Sequence, residues 1–379
     1  MNLAAPSGPG THIREVVAAF RAMGHEVQTF IAGGEELTVP LQSISFKKSK
    51  WKKWIPKLIW NTLKELSLLR HNHRMKSLLR KKIETFSPDF IYERSYYLMT
   101  AAVEVAKEKN IEIFCEINAP YPEEVKHMGG GGLLHFLSHS AETKQSQWAS
   151  KIVVVSSAMR DYFIRRTGVT GSKIIVTPNA VRNDFHRVDE KAVATLMQEY
   201  SLTGCTVFGF VGSIFPYHGV DRLLDAFADL PEKENCRLLI VGDGEMLPEL
   251  KQRAMLLAID HLVVFTGNVA PIQVPKFIAC MDVTVMAWSN WYGSPVKIFE
   301  YGALGKYIIA PDKGPVRDVM VHGIDGYVCN GSIEDLRKGM ITFIQEPGKC
   351  QEMATHFMKK VQAQHTWEKV TEQITEGWE

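Results

Sequence analysis

Apolar positions along the chain fall into two series in which short β-branched runs alternate with stretches of helical spacing. The first series opens with an apolar run at 2–5, a glycine-rich turn at 7–12, and Ile13, Val16, Val17, Phe20 and Met23 at helical spacing, closed by Gly24. With a strand expected at 26–31, this makes a βαβ opening. Further strands are expected at 90–92, 111–117, 151–155 and 173–177, and helices at 98–109, 134–149 and 158–167. Gly129 to Gly132 read as a flexible loop, and the turn-rich stretch 178–185 as a linker.

The second series places strands at 206–211, 236–241, 262–266, 283–287, 307–310 and 327–329. Helices are expected at 219–229, 248–258, 274–279 and 296–303, and through the remainder of the chain. Strands alternating with helices imply parallel sheets covered on both faces, so the fold class is α/β with two doubly wound, Rossmann-like domains. The expected domains are 1–183, carrying a basic amphipathic segment at 46–82; 184–360; and a closing helix, 361–379, packing back on the first domain.

A chain of 379 residues is long enough for two cores. No apolar run reaches the roughly 18–20 residues that span a bilayer, and the start has no signal-peptide pattern. The six cysteines are scattered without a Cys-x-x-Cys pair, which argues against zinc ribbons and redox motifs. They are expected reduced and mostly buried, in a cytosolic protein. Charge is uneven: 47–82 holds thirteen of the 44 Lys and Arg but only one acid, Glu65, so the rest of the chain is net acidic. That segment calls for an anionic partner.

Open parallel sheets bind ligands at the carboxyl ends of their strands, where glycine-rich turns and helix N-termini meet. In the second half those ends carry Gly212, Ser213 and His218, then Gly242 and Gly244, then Val269, then Tyr292-Gly293-Ser294-Pro295. Lys297 and Glu300, three apart, share a helix face just beyond. An ammonium beside a diphosphate and a carboxylate accepting from two vicinal ribose hydroxyls would clamp a sugar nucleotide.

Ser294-Pro295-Val296-Lys297-Ile298-Phe299-Glu300-Tyr301, with Ala303, Gly305 and Lys306, resembles the nucleotide-binding signature of the family 4 retaining glycosyltransferases. Val153-Val154-Val155-Ser156, Pro178-Asn179-Ala180-Val181, Gly212-Ser213 with His218-Gly219-Val220, and Val241-Gly242-Asp243-Gly244 follow the family's order over nearly the whole chain. The resemblance implies a GT-B fold, two Rossmann-like domains facing across a cleft that holds the active site. It implies Glu300 on the donor ribose, Gly242 and Gly244 lining the nucleotide pocket, Val269 meeting the base through its backbone, and the Gly10 loop facing the diphosphate. A UDP-sugar is expected over a GDP-sugar from family frequency, as a co-substrate, with no further cofactor.

Many relatives carry Arg and Lys where Ser213 and His218 stand, so Lys297 and helix N-termini are expected to take more of the diphosphate, with His218 as a hydrogen-bond donor. A second family Glu is replaced by Tyr292, which leaves the donor sugar to the amides of Tyr292, Gly293 and Ser294.

Tyr92-Glu93-Arg94 and Glu116-Ile117-Asn118-Ala119-Pro120 resemble segments of a polysaccharide-related branch, which makes Asn118, Glu116 and Arg94 the candidate catalytic residues. Asn118 stands where many relatives have His; it can orient hydroxyls but not take a proton. Retaining transfer needs no strong protein base if the leaving phosphate takes the acceptor proton. No Asp-x-Asp occurs, so no metal is expected.

The basic segment interleaves Lys47, Lys48, Lys50, Lys52 and Lys53 with Trp51, Trp54 and Trp60. Lysine and tryptophan together suit lipid headgroups, so these residues are expected to touch an anionic membrane surface. The protein is then peripheral on the cytoplasmic membrane face, and its acceptor a glycan or polyprenyl-linked saccharide. Three other readings fit less well. A dinucleotide-dependent oxidoreductase needs Gly at position 13, which is Ile13. Nucleic-acid binding through the Lys/Trp stretch leaves the second domain's pocket unexplained. A non-catalytic nucleotide-sugar binder remains the alternative that a transfer assay separates.

Overall fold

The computed structural model describes residues 8–31, 56–182, 185 and 188–376. The expected strand at 2–5, and Lys47, Lys48, Lys50, Trp51, Lys52, Lys53 and Trp54, lie outside the described residues. The chain divides into two compact units, Met1–Thr177 with Thr371–Glu379, and Pro178–Val370. The boundaries expected at 183/184 and 360/361 therefore stand at 177/178 and 370/371.

The first unit runs α1 (Gly8–Ala22), α2 (Lys57–Phe86), β1 (Phe90–Arg94), α3 (Ala101–Lys109), β2 (Glu112–Ile117), α4 (Tyr121–His127), α5 (Phe136–Trp148), β3 (Lys151–Val154), α6 (Ser157–Thr167) and β4 (Ile174–Val176). Its described strands form a parallel sheet in the order β1-β2-β3-β4. The strands are short apolar runs, as buried parallel strands are: Ile113, Phe114 and Cys115 of β2 and Ile152 to Val154 of β3 are all shut from solvent. From α1, Phe20 packs its ring 6.0 Å from Phe90 and 5.7 Å from Tyr92 of β1.

Two expectations change here. Residues 26–31 form no strand, and the helix starts at Gly8, so Gly10 is buried in its first turn rather than in a loop. Pro9 explains the early start, because a first-turn residue has no intrahelical use for an N–H.

The second unit runs α7 (Glu190–Glu199), β5 (Thr206–Val211), α8 (Val220–Ala228), β6 (Cys236–Val241), α9 (Leu247–Leu256), β7 (Val263–Gly267), α10 (Val274–Ala279), β8 (Val283–Val285), α11 (Val296–Ala303), β9 (Tyr307–Pro311), α12 (Gly314–Arg317), β10 (Tyr327–Cys329), α13 (Ile333–Gln345) and α14 (Pro347–Gln364). A last helix, α15 (Trp367–Glu376), follows. The sheet is parallel in the order β10-β9-β8-β5-β6-β7, so it grows in both directions from its first strand. That reversal beside β5 opens a crevice at the strand's carboxyl end. Alternate β5 residues feed two cores: Phe208 and Phe210 face one side, Val207 and Val211 the other.

Within the stretch expected as a linker, three of the described residues are core instead. Ala180, Val181 and Phe185 are buried, and Val181 pairs with Thr366 in an isolated bridge. The five cysteines Cys115, Cys236, Cys280, Cys329 and Cys350 are buried and Cys205 is half-buried; none is paired. No described helix is long and apolar enough to cross a membrane.

Candidate functional site

At the carboxyl end of β5 the chain makes three close passes of backbone on backbone. Gly212 N–H donates to the Val241 carbonyl at 2.9 Å, Ile214 N–H to the Asp243 carbonyl at 2.9 Å, and Gly242 N–H to the Gly267 carbonyl at 2.9 Å. Only glycine permits this. A Cβ on Gly242 would stand 2.0 Å from the Gly212 carbonyl oxygen, and one on Gly244 2.3 Å from that of Ile214. Behind them the buried Tyr301 hydroxyl accepts from Val211 N–H at 2.9 Å and fixes the last residue of β5.

Lys297, from the first turn of α11, reaches into this crevice. Its Nζ lies 4.2 Å from the centre of the Phe210 ring, and a Cβ on Gly212 would be 3.1 Å away. That nitrogen is shut from solvent and has no hydrogen-bond acceptor among the described residues. Burial lowers its pKa to about 8, against a smaller raising pull from Glu300. An unpaired buried ammonium is costly, and a phosphate oxygen is a partner that would satisfy it.

His218 turns its Nδ1–H back to the Ser213 carbonyl. Burial and the Lys297 charge push it down to about 4, while the carbonyl contact pulls the other way. It is therefore neutral near pH 7, and its Nε2 carries a lone pair. His218 was expected to donate to the diphosphate; here its Nδ1–H is engaged by the Ser213 carbonyl.

The expected amide cradle at 292–294 is corrected at Tyr292 and Gly293. Asn290 Oδ1 accepts from Gly293 N–H at 2.6 Å and Tyr292 N–H at 3.2 Å, a local side-chain turn that uses both amides. Ser294 is buried, and its Oγ accepts from Asn179 N–H at 3.0 Å while its carbonyl accepts from Asn179 Nδ2 at 2.8 Å. Asn179 thus positions the start of α11 across 115 residues of sequence. Glu300, half-buried, follows on the same helix as Lys297. The side chain of Val269 is half-buried and packs against the core beside β5 and β6.

In the first unit, register makes the second cluster. Arg94 pairs with Glu116 across β1 and β2, and Tyr92 lies two residues back on the same strand face. Glu116 accepts from Arg94 Nη1 at 2.7 Å, Tyr92 Oη at 2.9 Å and Asn118 Nδ2, and its Oε1 lies 2.9 Å from His12 Nε2 in an ion-pair contact. Burial opposes its charge, but His12, Arg94 and Asn118 outweigh it and hold the carboxyl well below the usual carboxylate range. Its side chain is 3% exposed. So Glu116, expected among the catalytic residues, is enclosed, and its contacts hold Arg94, Asn118 and His12. His12 was not a candidate from the sequence, and Tyr92 entered only as part of the Tyr92-Glu93-Arg94 segment. The one signal for His12 was its place in the first helical turns after a Gly-Pro-Gly start.

The Gly129 to Gly132 stretch is anchored, not loose. Glu65 of α2 accepts from Gly132 N–H at 2.7 Å and Leu134 N–H at 2.9 Å, and Thr62 Oγ1 from Leu133 N–H at 2.9 Å. Asn61 Nδ2 donates to the Gly131 carbonyl at 3.2 Å. This face of α2 is polar and buried at Asn61 and Glu65, while Leu58, Ile59, Leu63 and Leu66 point out, the first two 52% exposed. The usual amphipathic order of a surface helix is inverted in these first turns, while Met75, Leu79 and Ile83 farther along α2 are buried in the ordinary way. Met128, Leu133 and Phe136, beside the anchored loop, are likewise exposed. Trp60 is half-buried, with Lys64 Nζ 5.6 Å from its ring centre.

Two family models match the chain, "Glycosyltransferase Family 4" over 6–185 and "Glycosyl transferases group 1" over 196–360. A GDP-mannose-dependent alpha-(1-6)-phosphatidylinositol monomannoside mannosyltransferase of Mycobacterium tuberculosis is 25% identical over 233 residues, 59% of this chain and 60% of that protein. A lipopolysaccharide 1,2-N-acetylglucosaminetransferase of Salmonella typhimurium is 22% identical over 244 residues, 60% of this chain and 61% of its own. The chain thus spans about 60% of the length of these curated relatives. Among solved structures, Anabaena HepE in complex with UDP superposes with a TM-score of 0.69 at 19% identity, covering 80% of this chain and 82% of that one. The chain belongs to the family 4 glycosyltransferases and has their GT-B fold.

Proposed function

We propose that this protein is a retaining, metal-independent glycosyltransferase that moves a sugar from a nucleotide-sugar donor, a UDP-sugar, to a lipid-linked saccharide in cell-surface polysaccharide or glycolipid synthesis. The observation that carries this reading is the Lys297 ammonium, buried without an acceptor among the described residues beside the glycine turn that follows β5. The diphosphate of the donor supplies that acceptor, and Glu300 takes the ribose hydroxyls. Stabilising the departing diphosphate is the main electrostatic task in such a transfer. The leaving phosphate takes the acceptor proton, which agrees with the lack of a free carboxylate at Glu116. Arg94 and Asn118 orient the acceptor.

The outward leucines of α2, with Met128, Leu133 and Phe136, support docking on an anionic membrane at its cytoplasmic face. The named relatives act on a phosphatidylinositol mannoside and on lipopolysaccharide, acceptors that fit a lipid-surface enzyme. The test incubates the protein with UDP- and GDP-sugars and membrane lipid in EDTA and reads the product anomer by NMR. Transfer with the donor's anomeric configuration kept supports the reading. An inverted product, or activity abolished by EDTA and restored by a divalent ion, overturns it.

A further inference from the structure

On the β8–β9–β10 side of the second sheet, the carboxyl-end loops gather positive charge that the donor pocket does not use. Trp288 follows β8, Lys313 follows β9, and Arg222 lies in the first turn of α8. Lys313 Nζ stands 4.0 Å and Arg222 Cζ 4.7 Å from the centre of the Trp288 ring. An indole face attracts a cation, but two cations over one indole repel each other. Their separation cannot exceed the sum of those two distances, which is inside the roughly 10 Å Debye length at 0.1 M salt.

Among the described residues no carboxylate pairs with either. Arg222 donates to the Gly331 carbonyl at 2.9 Å, and its neighbour Asp221 acts on Arg253 instead. Arg222 also sits at the positive end of α8, whose N-cap, Gly219, has no side chain to accept from the first-turn amides. The setting is built rather than incidental. A Cβ on Gly331 would come within 2.8 Å of the Trp288 indole, and one on Gly219 within 2.9 Å of Trp288 Cβ, so both turns close tightly on this residue. Gly219 directly follows His218, which places this cluster next to the diphosphate pocket without sharing Lys297.

We propose that Arg222, Lys313 and Trp288 form a second anion subsite, which takes the acidic group, carboxylate or phosphate, of a sugar substrate while the diphosphate occupies the Lys297 pocket. The cations hold the acid and the indole packs against the pyranose ring. This rests on the donor-site reading above, and the two fail separately in the following experiment.

Thermal unfolding is followed with the preferred nucleoside diphosphate at saturation, adding glucuronate, glucose 6-phosphate or glucose at equal concentration. Glucuronate and glucose 6-phosphate raise Tm; glucose does not. The Arg222→Gln/Lys313→Gln double variant loses that rise and keeps its nucleotide affinity, and Lys313→Gln alone, which leaves the Arg222–Gly331 bond in place, loses part of it. Lys297→Met loses nucleotide affinity and keeps the rise, so the donor reading is scored apart. Binding of UDP-glucuronate about tenfold tighter than UDP-glucose, lost in the double variant, assigns the acid to the donor. Equal binding of the two, with the rise retained under UDP-glucose, assigns it to the acceptor. A rise from glucose as large as from the anionic sugars, or one unchanged in the double variant, overturns the subsite.

Discussion

Lys297 Nζ stands 4.2 Å from the centre of the Phe210 ring, a π-face that partly compensates its charge alongside the pull of Glu300. A cation–π contact is worth about 2 kcal/mol when desolvated, less than the full loss of hydration of a buried ammonium. The fold therefore carries this charge at a net disadvantage until an anion binds.

Replacing Lys297 by Met should raise the stability of the ligand-free protein. With a folded pKa of about 8 against an unfolded 10.5, the charged lysine destabilises the fold at neutral pH. The folded state holds fewer protons than the unfolded one between those values, so the penalty fades as pH rises from about 8 toward 10.5. Urea unfolding at pH 7 should show a gain of about 3 kcal/mol, shrinking toward pH 10. A variant less stable than the parent at pH 7 contradicts the assignment.

Gly242→Ala tests the crossing of the two glycine turns. The new Cβ would meet a backbone oxygen at 2.0 Å with φ at +137°, and neither can yield cheaply. The expected loss is about 3 kcal/mol. Gly267→Ala, with φ at +69° and no neighbour within 4 Å, should lose only about 1 kcal/mol by the same denaturation curve.

Glu116 holds two basic side chains in a buried setting, so Glu116→Gln should lose about 3 kcal/mol by leaving Arg94 and His12 without their anion. Because its folded pKa is depressed, the stabilisation is present above the ordinary carboxylate range and disappears as pH falls below it. Acid unfolding of the variant should be shallower than that of the parent.

The inverted face of α2 makes the opposite prediction for stability. Leu58, Ile59 and Leu63 are 48–52% exposed, so changing all three to Ser should alter unfolding by less than about 1 kcal/mol. Flotation with anionic vesicles should fall severalfold. Undiminished flotation would remove these residues from the membrane contact.

Much of the second unit was legible because its strands are short, continuous apolar runs bounded by glycine. β5, β6, α10 and α11 lie where the periodicity put them. The crevice followed from chemistry at strand ends, which brought Gly212, Gly242 and Lys297 together. What escaped notice depends on partners distant in sequence. Nothing in the run Asn290 to Gly293 says that one side chain uses the neighbouring amides, and no pattern ties Asn179 to Ser294. Residues 26–31 have strand-like composition, but without a ladder partner among the described residues they form no strand. The polar buried face of α2 was illegible for a related reason. Its leucines satisfy helical spacing, and only the anchored loop reveals which side is inward.

Calorimetric titration of a nucleoside diphosphate into the wild-type protein and Lys297→Met, from pH 6.5 to 9.5, tests the central claim most directly. Binding requires the lysine charged, so wild-type affinity should be flat up to about pH 8 and then fall, approaching tenfold per pH unit. The variant should bind at least about tenfold more weakly at pH 7, with no such fall. Equal affinity of the two proteins, or a wild-type affinity that does not change across the range, would contradict it.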